Sequence, residues 1–387
     1  MSSKLKVRLV RIALALVLFL IGVSYLPYMF CCRQAADWYA GDLSRQKLLA
    51  NGVAKWVEGD LGLDDFYTGS EQFNGEWLFG TYTMAAMGYG QTALQHPELR
   101  ESNIALMEQC FDKLMSEQVR RFDCRMWGSD PIESLDNINA HHAAFLGYFN
   151  LALSLHRMLV NDSKYAALND KITAALAKRI KASRFGLLQS YPQEMYAVDN
   201  CAVIGSIALH DRATSENSGI VIRSWINNFK WHCVDSDSGL LIQASDFRTG
   251  KAIDQPRGSG TILGLYLISF ADYKFAGELY AAARKQLAEN VFGFGAVREY
   301  PRNAKGGLGD IDSGPVVFGY GLSATGFMLG GARLYEDDSY YSRLFATVYA
   351  WGAPYEKDGK LNFVSGASLG DAIMFAVLTA PKGGLSK

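Results

Sequence analysis

Two kinds of apolar pattern alternate along the chain at the helical period of about 3.6 residues. In the first kind nearly every side is apolar or small, as at residues 76–94, 137–155, 196–209, 258–270, 314–331 and 366–380. In the second kind one face is apolar and the other charged, as at residues 33–57, 97–120, 163–182, 217–232, 273–289 and 338–349. A helix that is apolar all round is buried all round, whereas an amphipathic helix keeps one face in water. Six buried helices alternating with six half-exposed ones predict an all-α fold, an (α/α)6 toroid.

Strand-like alternation is confined to two short segments. Residues 239–244 and 361–364 are predicted as hairpin strands. The buried helices follow one another at regular intervals, but their sequences are not alike. The repeat is therefore a structural repeat without a sequence repeat. The sequence therefore predicts a ring of helices that contains few strands.

The N-terminal segment combines a basic start with a long apolar run. Lys4, Lys6, Arg8 and Arg11 precede an apolar stretch over residues 12–32, which approaches the ~20 residues that a bilayer requires. Bulky residues replace the small ones of a cleavage site, so we predict an uncleaved signal anchor over residues 1–32; a cleaved signal peptide and a buried core helix are the alternatives. Because the positive charges precede the span, the N-terminus is expected in the cytoplasm and the catalytic toroid, residues 33–387, in the periplasm or another extracytoplasmic space.

Composition and motifs exclude several classes of function. The 38 basic and 39 acidic residues give a formal net charge of -1, which leaves no electrostatic excess for nucleic acid. An aromatic content of 12% argues against disorder. The chain carries no HExxH, GxGxxG or P-loop pattern, so neither a metal nor a cofactor is predicted. The expected partners are a small-molecule substrate and, through the N-terminal helix, a membrane; a homo-oligomer is left open.

The six cysteines occur without a CxxC pair, which is not the pattern of a zinc ribbon or a thioredoxin-like site. Cys110 and Cys124 are candidates for a disulfide in an oxidising compartment. For each cysteine a free buried thiol is the favoured interpretation.

The predicted ring also indicates where chemistry belongs. The buried helices of such a ring run in one direction, so their N-termini, with unpaired N–H groups and positive dipole ends, gather at one mouth. Polar residues in the lead-in segments before these helices are therefore expected to converge on one pocket. The candidate substrate-binding residues are Tyr67, Trp77, Trp127, Asp130, Glu133, Asn137, Tyr191, Asn200, Arg257, Glu299, Tyr300 and Asp312. Glu76 stands beside Trp77 in the first lead-in, without an assigned role.

Each candidate also has a purely structural interpretation. Asp199 and Asn200 are residue types that cap helices, and the lead-in tyrosines can pack with a hydrogen-bonded hydroxyl. His141 and His142 are adjacent, and neighbours on a helix point about 100° apart, so at most one ring faces the mouth. The repetition of polar residues before six helices is stronger evidence than any single member.

Several segments resemble the linalool dehydratase/isomerase family. The likeness runs in order from about residue 60 to about residue 375 and rests on FYTGSEQFNGEW, WGSDPIESLDNINAHHAAFLGYFNLAL, YPQEMYAVDNCAVIGSIALHDR and GDIDSGPVVFGYGLSATGFMLGGARLYED. The resemblance implies an (α/α)6 toroid that works outside the cytoplasm without a cofactor. It also implies a lyase or isomerase that adds or removes water on an apolar allylic alcohol, by acid/base chemistry in a deep apolar pocket.

The resemblance implies catalytic residues only in part. The catalytic histidine of the family corresponds to His141 or His142. The two family cysteines fall on Ser190 and Asp199, so both thiols are missing, and Cys201 is two residues away from the second position. Asp199 with His142, Tyr196 and Glu194 is the acid/base set that remains.

The main functional hypothesis is therefore a cofactor-free lyase or isomerase acting on a hydroxylated, partly apolar molecule such as a terpenoid alcohol. One alternative is a carbohydrate-active enzyme, a glycoside hydrolase or epimerase with paired carboxylates, because the same toroid hosts sugar enzymes. Another is a non-catalytic, membrane-anchored binding protein. A pocket wall of carboxylates, amides and aromatic rings would favour a sugar substrate. A pocket wall of Met and Phe with few polar groups would favour a terpenoid substrate.

Overall fold

The computed structural model describes residues 3–311 and 313–385. The helices in chain order are α1 (Ser3–Cys31), α2 (Ala35–Ala40), α3 (Leu43–Glu58), α4 (Glu71–Gln95), α5 (Arg100–Leu114), α6 (Glu117–Trp127), α7 (Ala143–Leu159), α8 (Ala166–Ala182), α9 (Ala197–Thr214), α10 (Ile222–Cys233), α11 (Gly258–Ile268), α12 (Tyr273–Gln286), α13 (Leu322–Leu334), α14 (Asp338–Gly352) and α15 (Ala367–Leu378). The strands are β1 (Glu194–Tyr196), β2 (Ala244–Asp246), β3 (Ala288–Val291), β4 (Phe294–Val297), β5 (Val316–Val317), β6 (Tyr320–Gly321), β7 (Pro354–Lys357) and β8 (Lys360–Phe363).

Six inner helices form a closed ring. In chain order α4, α7, α9, α11, α13 and α15 each contact the next, and α15 returns to contact α4. These are the six segments whose sequence is apolar on nearly every side, and their side chains fill the central core. The chain is therefore an (α/α)6 toroid, as the sequence predicts.

The outer helices α3, α5, α8, α10, α12 and α14 also correspond to the six amphipathic segments, with two differences. The predicted helix over residues 33–57 is divided at Gly41, whose φ of 80° is left-handed, and Asp42 caps the start of α3. The predicted helix over residues 97–120 is divided where Ser116 caps α6. In both places a local capping side chain ends one helix and begins the next.

Hydrogen bonds between the C-terminal ends of the inner helices close one end of the ring, which we call the floor. Gln91 of α4 donates to the carbonyl oxygen of Ala376 at 2.9 Å and accepts from the hydroxyl of Tyr266 at 3.0 Å. Arg333 of α13 donates to Gln95 at 3.0 Å. Since four inner helices bring their C-termini to the same place, they run in parallel, and their N-termini gather at the opposite end, the mouth.

The strands form four antiparallel pairs, β1 with β2, β3 with β4, β5 with β6 and β7 with β8. All of them lie in lead-in segments, so every strand is at the mouth. The strand predicted over residues 361–364 is confirmed as β8, but residues 239–244 form only isolated bridges before β2 begins. Two inner helices also begin later than predicted: α13 begins at Leu322, after the β5–β6 hairpin, and α7 begins at Ala143.

Helix α1 stands apart from the toroid. Its 29 residues span about 43 Å at about 1.5 Å per residue, more than the ~30 Å hydrocarbon core of a bilayer. Its apolar side chains are exposed along most of its length, and among the described residues it is the helix long and apolar enough to cross a membrane. Only its C-terminal end packs on the toroid, where Tyr28 meets Phe294 with ring centroids 5.9 Å apart.

Candidate active site

The first turns of three inner helices and the third lead-in bring a group of polar side chains together at the mouth. We call this group the cup cluster, and it consists of Glu76, Tyr148, Ser190, Tyr191 and Asp199; His141 is joined to it through Gln189, the neighbour of Ser190. Asp199 lies in the first turn of α9 with only 8% of its surface exposed. It does not cap the helix, because Tyr196 occupies the cap position and makes no side-chain cap. The structural interpretation of Asp199 as a helix cap therefore does not apply.

The Asp199 carboxyl keeps its proton to a higher pH than an ordinary aspartate does. Burial raises its pKa to about 6, although hydrogen bonds with Ser190 and Tyr148 act in the opposite direction. The Tyr148 hydroxyl donates to Oδ1 at 3.0 Å. A carboxyl with a pKa near 6 remains partly protonated near neutrality, which is the property of a general acid.

Glu76, in the second turn of α4, supplies a second carboxyl. It accepts hydrogen bonds from the Tyr191 hydroxyl at 2.6 Å and from Gln72 at 3.1 Å. Burial raises its pKa, the two hydrogen bonds oppose that shift, and the charge of Asp199 adds to it. The phenol of Tyr191, whose pKa burial raises, is influenced by both Glu76 and Asp199. Two carboxyls from different inner helices thus lie around one tyrosine.

His141 is the histidine that adjoins this cluster. Its Nδ1 accepts the backbone N–H of Gln189 at 3.0 Å, so the proton of the neutral ring is on Nε2. Burial lowers its pKa to about 4, with help from the charges of Arg179 and His142. His141 is therefore neutral near pH 7 and acts as a hydrogen-bond donor rather than as an acid.

His142 is fully buried and engaged on both sides of its ring. Its Nδ1 bonds to Asp123, and its Nε2 lies 3.2 Å from the hydroxyl of Ser129 and 3.0 Å from that of Ser134. The backbone of His142 is left-handed, with φ of 50°, which is why α7 begins only after it. This histidine ties the second lead-in to α6, and the structure pairs Asp199 with Tyr148 rather than with His142.

The fourth and fifth lead-ins form a separate group, which we call the ion-pair cluster: Arg257, Ser259, Glu299 and Asp310. Arg257 donates from Nε to Glu299 at 3.0 Å and bonds Asp310 through Nη1. Glu299 also accepts from the Ser259 hydroxyl at 2.6 Å. Burial raises the pKa of Glu299, and Ser259 and Arg257 oppose it. The Tyr300 ring lies 5.6 Å from the Arg257 guanidinium.

Several other candidates hold the lead-ins in place. Asp130 accepts from the backbone N–H of Ile132 at 2.8 Å and from Arg120 at 2.9 Å, which defines a turn. Asn200 bonds both the N–H and the carbonyl of Leu188, at 2.8 and 2.9 Å. These contacts satisfy buried backbone groups.

The aromatic candidates are divided between the mouth and the surface. Trp127 donates to the carbonyl of Ser190 at 3.1 Å, and its ring contacts that of His142 at a tilt of 37°, with the centroids 4.8 Å apart. Trp77 is half-buried and meets Phe66 edge to face. Tyr196 donates to Glu194 at 3.2 Å on the rim. Tyr67 is 94% exposed and forms no part of a pocket wall.

Three further candidates are outside the cluster. Glu133 and Asn137 have exposed side chains, and the Asn137 side chain only accepts the N–H of Asn139 at 3.0 Å. Asp312 lies outside the described residues. All six cysteines are free thiols, including Cys110 and Cys124.

Sequence reasoning missed the roles of Glu76, Tyr148 and Asp123. Tyr148 is the sixth residue of α7, so a search of the segments before the helices ends one turn too early to find it. Glu76 stands beside Trp77 in the first lead-in, but no local pattern assigns it a role. Asp123 lies on the outer helix α6, and only the buried face of that helix could have indicated it.

Two cavities lie away from the cup cluster. One of about 830 Å³ is lined by Trp231, Asp235 and Lys251 among others, between α10 and α12. Another of about 390 Å³ is next to Asp170 and His210. Neither cavity is lined by Asp199 or Glu76. Titratable groups with shifted pKa values are a better indicator of chemistry than volume is, so the cup cluster remains the candidate site.

Comparisons with known proteins give a likeness of fold. No protein-family model matches the sequence, and no curated protein matches it. Among solved structures, the GH76 α-mannanase BT2949 of Bacteroides thetaiotaomicron has 11% identity and a TM-score of 0.44, over 93% of this chain and 97% of that one. An inactive double-aspartate variant of the α-1,6-mannanase GH76A of Salegentibacter sp. HEL1_6, in complex with α-1,6-mannotetrose, has 15% identity and a TM-score of 0.47, over 88% of this chain and 100% of that one. At these values no activity or residue role carries over.

The predicted membership of the linalool dehydratase/isomerase family is wrong. The two solved structures named above are mannanases, and no family model matches the sequence to support the lyase assignment. The prediction of a lyase or isomerase for a terpenoid alcohol is wrong with it. The cup cluster agrees with this correction, since carboxyls and hydroxyls replace the expected apolar wall.

Proposed function

We propose that the chain is a carbohydrate-active enzyme of the glycoside hydrolase class, with Asp199 and Glu76 as its pair of carboxyl groups. The observation that carries this proposal is that two carboxyls with raised pKa values, from two inner helices, lie around Tyr191 at one mouth. Glycoside hydrolysis requires one carboxyl as an acid and a second as a base or nucleophile.

The environments of the two carboxyls assign their roles. Asp199, with its pKa of about 6, is the acid that protonates the leaving oxygen. Glu76 is the base or nucleophile, because hydrogen bonds from Tyr191 and Gln72 stabilise its charged form. The Nε2–H of His141 binds a sugar hydroxyl, and the half-buried ring of Trp77 stacks on a sugar face. Hydrolysis then decreases as the pH rises above about 6, since Asp199 loses its proton.

The location of the enzyme is part of the proposal. Helix α1 anchors the chain in a membrane, and the four basic residues before the span keep the N-terminus in the cytoplasm. The toroid is then extracytoplasmic. A reporter enzyme that is active only outside the cytoplasm, fused after Lys387, should be active; an inactive reporter would place the toroid in the cytoplasm.

The test is hydrolysis of a panel of aryl and oligosaccharide α- and β-glycosides by the full chain in detergent. We expect at least one glycoside to be cleaved, and Asp199→Asn to lower kcat/KM by about 10²–10⁴-fold. The matched control is Asp162→Asn, which changes an exposed aspartate at the floor side of the ring and should retain full activity. Full activity of Asp199→Asn, or no hydrolysis of any glycoside by the unchanged protein, would refute the proposal.

A further inference from the structure

The place where α1 joins the toroid follows from two ring contacts. Helix α14 runs from the floor end to the mouth. Phe30 lies 6.1 Å from Tyr349, near the mouth end of α14, whereas Tyr39 lies 5.2 Å from Tyr341, near its floor end. The chain from Phe30 to Tyr39 therefore descends along α14 from mouth to floor, so the C-terminal end of α1 joins the toroid at the mouth end.

A hairpin at the mouth packs against the end of this helix. The ring of Tyr28 lies so close to Gly293 that a Cβ there would be 2.7 Å from the ring. Gly293 is at the tip of the β3–β4 hairpin, and its neighbour Phe292 is 72% exposed. Trp351, at the mouth end of α14, is 68% exposed. Large apolar side chains therefore stand exposed where α1 leaves the toroid.

The exposed apolar side chains are distributed unequally between the two ends of the ring. Outside α1, every exposed large apolar side chain of the described residues lies in a mouth segment or at the mouth end of a helix, with the exception of Val221. The β5–β6 hairpin adds Val317 and Phe318 to the mouth. Single exposed apolar residues are ordinary, but their confinement to one face indicates a surface that is covered.

We propose that the mouth of the toroid faces the bilayer that holds α1, and that the substrate is a saccharide carried by a lipid of that membrane. The orientation rests on α1 and the exposed apolar residues alone, whereas the substrate class rests on the proposed glycoside hydrolysis. Aromatic side chains such as those of Tyr28, Phe292 and Trp351 favour the interface between headgroups and water. A lipid can keep its acyl chains in the bilayer while its sugar reaches Asp199 and Glu76.

The orientation is tested with a fluorophore sensitive to its environment. Phe292→Cys and Trp351→Cys are labelled in the full chain, in a background in which the partly exposed Cys32 and Cys124 are serine, and the protein is placed in phosphatidylcholine vesicles. Lipids with a spin label on the headgroup or the upper acyl chain should quench both labels. Val221→Cys, exposed at the floor end, is the matched control and should not be quenched. Equal quenching at all three positions, or at none, would overturn the orientation.

A second copy of the chain is the other candidate to cover this face. Protection of the labels would then increase with the ratio of protein to lipid, and the lipid quencher would have no effect at any ratio. That result would also overturn the orientation, without bearing on hydrolysis.

The substrate class is tested by presenting one sugar in two forms. The glycoside that is cleaved fastest in solution is compared with its hexadecyl glycoside in the same vesicles. A flexible Gly/Ser linker inserted between Arg33 and Gln34 should lower the ratio of vesicle to solution rates roughly tenfold. The same linker between Glu216 and Asn217, at the floor end, should leave the ratio unchanged.

The outcomes separate the two proposals. An unchanged ratio in the Arg33–Gln34 variant would overturn the lipid-borne substrate while hydrolysis stands. If the unchanged protein hydrolyses neither form of the sugar, the proposed function and the substrate class fail together, and the quenching experiment still decides the orientation.

Discussion

Two groups of carboxyl side chains at the same mouth differ in whether a cation is among their partners. In the ion-pair cluster Arg257 neutralises Glu299 and Asp310, and Ser259 completes the hydrogen bonds of Glu299. In the cup cluster the carboxyls of Asp199 and Glu76 have hydroxyl and amide donors but no cation among their described hydrogen bonds. A cation favours the charged form of a buried carboxyl, as Arg257 does for Glu299, whereas in Asp199 and Glu76 only neutral donors oppose the effect of burial on the pKa.

The largest expected effect concerns activity at the cup cluster. Glu76→Gln removes the proposed base or nucleophile, and we expect kcat/KM to decrease by about 10²–10⁴-fold. The Glu101→Gln change of an exposed glutamate on α5 is the control. Steady-state kinetics on the best glycoside measures both, and equal activity of the two variants would remove Glu76 from the mechanism.

The next effect concerns stability at the ion-pair cluster. Arg257→Ala leaves Glu299 buried without its cation, and we expect the free energy of unfolding to decrease by about 3–5 kcal/mol. Arg302→Ala, which breaks an exposed pair with Glu289, should change it by no more than about 1 kcal/mol. Denaturant unfolding of both variants is the measurement. Similar losses would show that burial does not distinguish the two pairs.

A third prediction is that a substitution at a buried position increases the stability of the protein. The pKa of Asp199 is raised from 3.8 to about 6 in the folded state. The folded protein therefore loses stability as the pH rises from about 4 through 6, by about 3 kcal/mol in total at 1.36 kcal/mol per pH unit. Asp199→Asn carries no charge, so it should be the more stable protein at pH 7.5 while differing little at pH 4. Thermal unfolding at the two pH values tests this, and a destabilised variant at pH 7.5 would contradict it.

The smallest expected effect of a mutation is on the free energy of unfolding, and it distinguishes the two histidines. His142→Ala leaves Asp123 without its ring partner and should decrease the free energy of unfolding by about 1–3 kcal/mol. His141→Ala removes one donor at the cup and should mainly raise KM, with less effect on unfolding. If His141→Ala were the more destabilising change, the assignment of roles would be reversed.

A final comparison concerns metals. The proposed chemistry uses carboxyls alone, so EDTA should change the hydrolysis rate by less than about twofold. Loss of activity on chelation, with recovery on addition of zinc or calcium, would contradict the assignment of both carboxyls.

The ring could be predicted from the sequence because each helix has enough positions to show which of its faces are apolar. Apart from β8, the strands of the mouth hairpins could not, since strands of two to four residues such as β5 and β3 contain too few alternating positions. The predicted position of Asp199 at the mouth agrees with the structure. Its partner Glu76 is 123 positions away along the chain, and no local pattern indicates which of many carboxylates will be its neighbour.

The hydrogen-bonded floor has a consequence for motion. Gln91, Tyr266 and Arg333 connect helices that are far apart in sequence, so the C-terminal halves of the inner helices cannot separate without breaking buried hydrogen bonds. Amide protons there should exchange last, and those of the hairpins first. When a ligand binds, the hairpins and turns at the mouth are therefore expected to move, while the floor keeps its conformation.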